Sequence, residues 1–183
     1  MKRSRIIPLI ALGSATVALL GCESQQEALV FESVEQCVQS QQLPDGACQR
    51  EYEQAVAAHQ NSAPRFSDQS SCEQDFGPGR CSSFTSGGGN FFIPLMAGYM
   101  LASVVNSGSS YRYGGYGTSY SQPLYRTRND FGANYRTADN YQVSSTGGKS
   151  SIPQSVSAPQ TRAVTMSRSG FGSTASARSG WGG

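Results

Sequence analysis

The sequence predicts a small, mainly α-helical region stapled by disulfides, then one apolar helix, then a long disordered low-complexity tail. Three observations lead there. Two units each place an aromatic six residues before a cysteine, "FESVEQC" (Phe31 to Cys37) and "FSDQSSC" (Phe66 to Cys72). An almost unbroken apolar run extends from Phe91 to Val105 between glycine-rich flanks. From Asn106 to Tyr141, seven tyrosines alternate with glycine, serine and arginine, and neither a helical nor a strand period is sustained. The chain divides accordingly into a leader at 1–21, an acidic cysteine region at 22–90, an apolar helix at 91–105 and a tail at 106–183.

The leader reads as an export signal. Lys2, Arg3 and Arg5 make a positive start, Ile6 to Leu20 an apolar stretch, and Gly21 a small residue before a cut. "LLGC" (Leu19 to Cys22) resembles the lipobox of bacterial lipoproteins, in which the cysteine is acylated and becomes residue one. By that resemblance Cys22 is the lipidation site and opens the mature chain. Three acyl chains exceed the two signals needed for stable anchoring, so no transmembrane helix is required. Glu23, where an Asp would retain an enterobacterial lipoprotein in the inner membrane, points to the outer membrane facing the periplasm.

Losing the leader leaves 162 of the 183 residues, and its three bases take the formal charge from +2 to −1. With 14% charged residues, 37% hydrophobic residues and 21 glycines, the composition favours little buried apolar surface. Charge is split along the mature chain. Cys22 to Asn90 holds ten acids and three arginines, whereas Phe91 to Gly183 holds eight bases and two acids, so the halves can attract one another.

Within the acidic region the repeat predicts two short helices, each opened by a serine. Ser33 with Gln36 three residues later fits a capping box. Pro44-Asp45-Gly46 and Gly77-Pro78-Gly79 stop the helices and turn the chain. Between them, Gln49 to Gln60 contains strong helix formers and neither glycine nor proline, and is the clearest helix of the chain. Its thin apolar face, Tyr52, Ala55 and Val56, rests on the cysteine units.

With Cys22 acylated, Cys37, Cys48, Cys72 and Cys81 remain, an even number in an exported chain. Three pairings are open, and the repeat favours Cys37 with Cys48 and Cys72 with Cys81. Each such bridge restricts the unfolded chain by about 3 kcal/mol. A four-thiolate zinc site is the rival, but ten and eight residues intervene where metal knuckles use two to four.

The apolar run is 15 residues, about 22 Å as an α-helix, which falls short of a hydrocarbon core of about 30 Å. Asn90 caps it, Pro94 suits its first turn, and Gly98 with Ala102 forms a face of small residues. Such a helix is apolar all round and must be covered. Phe91, Phe92, Ile93, Leu95, Met96, Tyr99, Met100 and Leu101 are its candidate contacts with the cysteine unit, the membrane surface or a partner.

Catalytic patterns are weak. His59, the single histidine, stands on a solvated helix without an evident nucleophile or orienting carboxylate. "VSSTGGKS" fails as a phosphate loop because Val143 stands where glycine is required. Tyrosines alternating with arginines suit single-stranded nucleic acid in a cytosolic protein. Outside the inner membrane, adhesion to glycan, lipid headgroups or other copies is the plainer expectation.

The lipobox, the duplicated cysteine unit, "APRF" (Ala63 to Phe66), "PLMAGYM" (Pro94 to Met100) and "SGFG" (Ser169 to Gly172) together resemble the uncharacterised enterobacterial YgiB-like lipoproteins. The resemblance implies an envelope lipoprotein with a link to biofilm behaviour, and carries no catalytic residue or cofactor. The expectation is a non-enzymatic, lipid-anchored envelope protein that binds the membrane, an envelope protein or itself, and no nucleic acid. The alternative is an accessory subunit docking an envelope partner through the apolar helix.

Overall fold

The seven positions after Ser24 already depart from a helical framework. Gln25–Phe31 is strand β1, and its alternation sends Ala28 and Val30 to one side and Leu29 and Phe31 to the other. The computed structural model describes residues 24–44, 46–103, 119–130, 134–143, 147–166 and 171. Three α-helices follow β1: α1 (Val34–Ser40), α2 (Ala47–Ser62) and α3 (Gln69–Phe76). The remaining strands are β2 (Arg65–Phe66), β3 (Cys81–Ser86), β4 (Gly89–Pro94), β5 (Gly98–Ser103), β6 (Ser119–Leu124), β7 (Tyr135–Arg136), β8 (Gln142–Val143), β9 (Gly148–Pro153) and β10 (Thr165–Met166).

The mainly α expectation is therefore overturned: ten strands in three sheets organise the described residues. One sheet has the order β6-β5-β1-β9 and is antiparallel throughout, with Val30 opposite Met100, Gln26 opposite Ile152 and Met100 opposite Gln122. The second has the order β10-β2-β4-β3, in which only the β10–β2 pair is parallel. The third is the small β7–β8 ladder.

The apolar run is not a helix. It is the greater part of β4, a connector at 95–97, and β5, with 104–105 outside the described residues. The physical reason lies in what covers β5. Met100 and Ala102 pack with Ala28, Val30, Leu124, Tyr135 and Ile152, while Tyr99 and Leu101 pack on the opposite face with Phe31, Cys37, Cys48 and Ala55. A strand covered on both faces loses polar alternation and reads as a continuous apolar run. Upstream, Gly87 and Gly88 take φ of +61° and +80°, the two-residue turn that closes a β3–β4 hairpin. Gly98 is a packing requirement of the strand, since a Cβ there would stand 2.6 Å from the Phe31 carbonyl oxygen. Among the described residues no helix is long and apolar enough to cross a membrane.

The tail is also corrected. Five of the strands, β6 to β10, fall between Ser119 and Met166, inside the region expected to be disordered. Tyr125 and Tyr135 are fully buried there, supplying through their rings the apolar area that the composition seemed to lack. The segments 106–118, 131–133, 144–146, 167–170 and 172–183 of that expectation lie outside the described residues.

The helices keep much of their expected local chemistry. Ser33 caps α1, accepting from the Gln36 N–H at 3.2 Å, while Gln36 Oε1 accepts from the Glu32 N–H, one residue earlier than a strict capping box. The second cysteine helix is opened by Asp68 instead of a serine: its Oδ1 accepts from the Ser71 N–H at 2.8 Å. Hydrogen bonds from Ser70 and Ser71 hold the Asp68 carboxyl down to about 2. Cys37 pairs with Cys48 and Cys72 with Cys81, at Cα separations of 5.8 and 6.2 Å. The first bridge ties α1 to α2 beneath β5; the second ties α3 to the start of β3.

Gly98→Ala drives its methyl into the Phe31 carbonyl in the centre of the sheet. A loss of about 1–3 kcal/mol is expected, by the usual cost of overpacking, read as a lower denaturation midpoint at unchanged slope. An unchanged midpoint would show that β1 and β5 do not approach this closely.

Candidate functional site

The polar groups of the chain converge on a hook between Tyr125 and Val143. Tyr125 and Arg136 exchange backbone hydrogen bonds, each 2.8 Å, and β7 continues that ladder into β8. Because neighbours in an extended backbone point to opposite sides, each Tyr-Arg pair sends a ring one way and a guanidinium the other. Tyr-Arg-Thr occurs twice, at 125–127 and 135–137. That duplication is the signal in the sequence that marks the hook.

Arg126 lies over the Tyr135 ring, 4.3 Å from its centroid, and its Nη2 donates to Glu32 Oε1 at 2.8 Å and to Tyr135 Oη at 2.7 Å. The Tyr135 hydroxyl donates in turn to Glu32 Oε1. The Tyr135 hydrogen bond, with Arg126 beside it, holds the Glu32 carboxyl below the usual carboxylate range despite some desolvation. Burial, reinforced by the Glu32 carboxylate, pushes the Tyr135 phenol up. Glu32 sits between β1 and α1, so the triad clamps the hook to the start of the helical unit.

The second tie is Asp130 with Arg136, a bidentate pair at 2.7 and 2.9 Å, to which Thr127 also donates. Burial pushes the Asp130 carboxyl up, but the Arg136 and Thr127 hydrogen bonds outweigh it and leave the group low. Arg136 Nη1 also donates to Asn140 Oδ1 at 3.0 Å, fixing the turn where Asn140 adopts φ of +69°.

On the far side, Tyr125 Oη meets His59 Nδ1 at 2.9 Å. The buried phenol needs an acceptor, so Tyr125 donates and the imidazole is neutral with its proton on Nε2. Burial lowers His59 to about 4 and raises Tyr125. His59 is thus partly buried against Tyr125 on α2, and not on a solvated face as the helical pattern alone suggested. Another tie joins α2 to β6, where Ser121 donates to buried Glu51 Oε2 at 2.6 Å.

Chemically these groups are held in fixed protonation states. A carboxylate pulled down beside phenols pushed up neither gives nor takes a proton near neutrality, so the hook acts as a set of structural ties. Among the described residues no group of three or more His, Cys, Asp or Glu side chains is placed to hold a metal ion.

The residues expected from sequence are distributed differently. Cys22 lies outside the described residues. The four remaining cysteines form the two bridges. Of the expected docking row, Ile93, Tyr99, Met100 and Leu101 are buried in the chain's own core. Phe91 stacks under the Arg65 guanidinium, Phe92 packs on the cluster around Phe66, and Met96 packs on the cluster around Cys37. Leu95 alone of that row is exposed, at 50%. The late "SGFG" motif contributes buried Phe171, whose ring lies 5.0 Å from Phe76 and whose N–H donates to Asp75.

His59 makes stability depend on pH with a defined sign. In the unfolded chain it protonates near 6.5 and in the folded chain only near about 4. The contribution is complete above pH 6.5 and is lost as pH falls towards 4. By linkage, about 2 kcal/mol should be gone at pH 5 relative to pH 8, and His59→Gln should flatten that slope. Equal slopes for both proteins in urea titrations across this window would contradict the buried neutral imidazole.

No solved structure matches this chain. The family model described as "Protein of unknown function (DUF1190)" matches residues 25–182. That span begins at the first residue of β1 and covers every element of the fold, and the chain belongs to this family.

Proposed function

We propose that the protein is a non-enzymatic, lipid-anchored module of the cell envelope that acts by contact, tethered through Cys22 to the outer membrane and facing the periplasm. The observation that carries this reading is the allocation of the five cysteines. Four are paired with one another, leaving Cys22, which stands at the lipobox-like "LLGC". Paired cysteines suit an oxidising compartment.

The geometry gives the tether a direct mechanical meaning. Only Glu23 and Ser24 separate Cys22 from β1, a reach of about 10 Å at full extension. Ser24 is itself fixed: its hydroxyl donates to Gln154 Oε1 at 2.7 Å and its carbonyl accepts from the Gln154 N–H at 3.0 Å. An acyl anchor at Cys22 therefore pulls on the central strand of the larger sheet, and holds the β1 start and the β9 end close to the headgroups. The polar hook and exposed Leu95 belong to the opposite end of β1, near Phe31. In this reading that end meets the periplasm.

Cys22→Ser should move the protein from the detergent phase to the aqueous phase, and native mass spectrometry of the wild type should give a chain starting at an acylated Cys22. Membrane retention unaltered by the substitution, or a mature chain retaining Met1, would overturn the reading.

A further inference from the structure

Among the described residues, the two larger sheets leave four outer strands, β6, β9, β10 and β3. Natural proteins blunt such edges with charge, proline, brevity or a covering element. Three are treated in this way. β6 contains Pro123; β9 contains Lys149 and ends in Pro153; β10 is two residues long. β3 is different. Its six residues, Cys-Ser-Ser-Phe-Thr-Ser, include no charge and no proline, and Ser82, Ser83 and Thr85 are exposed.

Its hydrogen-bond phase is fixed. Leu95 donates to the Arg80 carbonyl at 2.8 Å, one step beyond the Cys81–Pro94 pair, and the Gly87-Gly88 turn closes the Ser86–Gly89 pair. The backbone groups of Ser82, Phe84 and Ser86 therefore point to β4, and those of Cys81, Ser83 and Thr85 point outward. The outward positions are evenly spaced about Ser83, so a two-fold axis there sets Ser83 against Ser83 and Cys81 against Thr85 of the other copy. Every outward group then meets its complement, and no like charges face each other along the seam. Rigidity favours the same edge: β3 is held at one end by the Cys72–Cys81 bridge, and Phe84 is backed by the Arg65 guanidinium 5.5 Å from its ring.

We infer that β3 is a self-association edge, at which two copies of this chain pair antiparallel about Ser83 to make one continuous eight-stranded sheet. The occupant is a second β3 because the strand's own register is its complement. This goes beyond the proposed envelope role and does not depend on the lipid anchor.

The test uses the full mature chain in non-denaturing detergent. Facing Ser83 residues place their Cα atoms about 5.5 Å apart, inside the reach of a disulfide, whereas the two Thr85 residues lie about 13 Å apart at strand spacing. Ser83→Cys should give an interchain disulfide on non-reducing gels several-fold more abundant than Thr85→Cys. Ser83→Pro adds no thiol and, because the Ser83 N–H points outward, removes no bond to β4. It should shift sedimentation from dimer to monomer while both native bridges remain in peptide maps. Wild-type protein monomeric at every concentration, equal crosslinking at both positions, capture of a different protein by Ser83→Cys, or a dimer that survives Ser83→Pro would each overturn the inference.

Discussion

β1 is hydrogen-bonded on both sides, and the rest of the fold is arranged around that fact. Its seven residues pair with β5 along one edge and with β9 along the other. It thereby joins a segment some seventy residues later to one more than a hundred residues later. A strand so placed contributes side chains to both faces, and both are used: Ala28 and Val30 build the cluster closed by Tyr135 and Val143, while Phe31 builds the cluster over the first disulfide. Without β1 neither face has a floor.

The two disulfides and the polar hook serve that central strand differently. The bridge between Cys37 and Cys48 makes a compact helical lid for the Tyr99 and Leu101 face, compensating by restriction of the unfolded chain for a short α1 and a weakly amphipathic α2. The hook instead ties late residues to early ones through Glu32, Arg126 and Tyr135, and through His59 and Tyr125. Here the charge asymmetry of the sequence becomes structural: basic Arg126 and Lys149 meet acidic Glu32 and Glu27 across the chain. Exposed pairs of this type give little stability individually. The bonds around Tyr135 and Asp130 are more sheltered and define the geometry.

What could be read in the sequence was chemistry that is local. The cap by Ser33, the helix around Gln49 to Gln60 and the stop at Gly77 each depend on a few neighbouring residues, and the structure has all three, whereas the first cysteine helix stops earlier than expected, at Gln41, and Gly46 opens α2 instead. The fold class was not legible because its determinants are non-local. β5 lacks alternation since both its faces are covered, so its period cannot distinguish strand from helix. Strands of two residues such as β7, β8 and β10 carry no period at all, and only the duplicated Tyr-Arg-Thr hinted that the tyrosine-rich segment folds. The burial of His59 is hidden for a related reason: it is created by Tyr125, sixty-six residues away.

The claim that most of this account depends on is that the late strand β9 completes the sheet begun by β1. Amide hydrogen exchange on the mature, oxidised protein reads it directly. The account predicts that the amides of Gly148, Ser150 and Ile152, which face β1 across the edge of the sheet, are protected and lose that protection together with Ala28–Phe31 and Tyr99–Ala102 as denaturant is raised. Exchange of those three amides at unprotected rates while the α2 amides stay protected would contradict it, and would return the late chain to the disordered tail that its composition suggests.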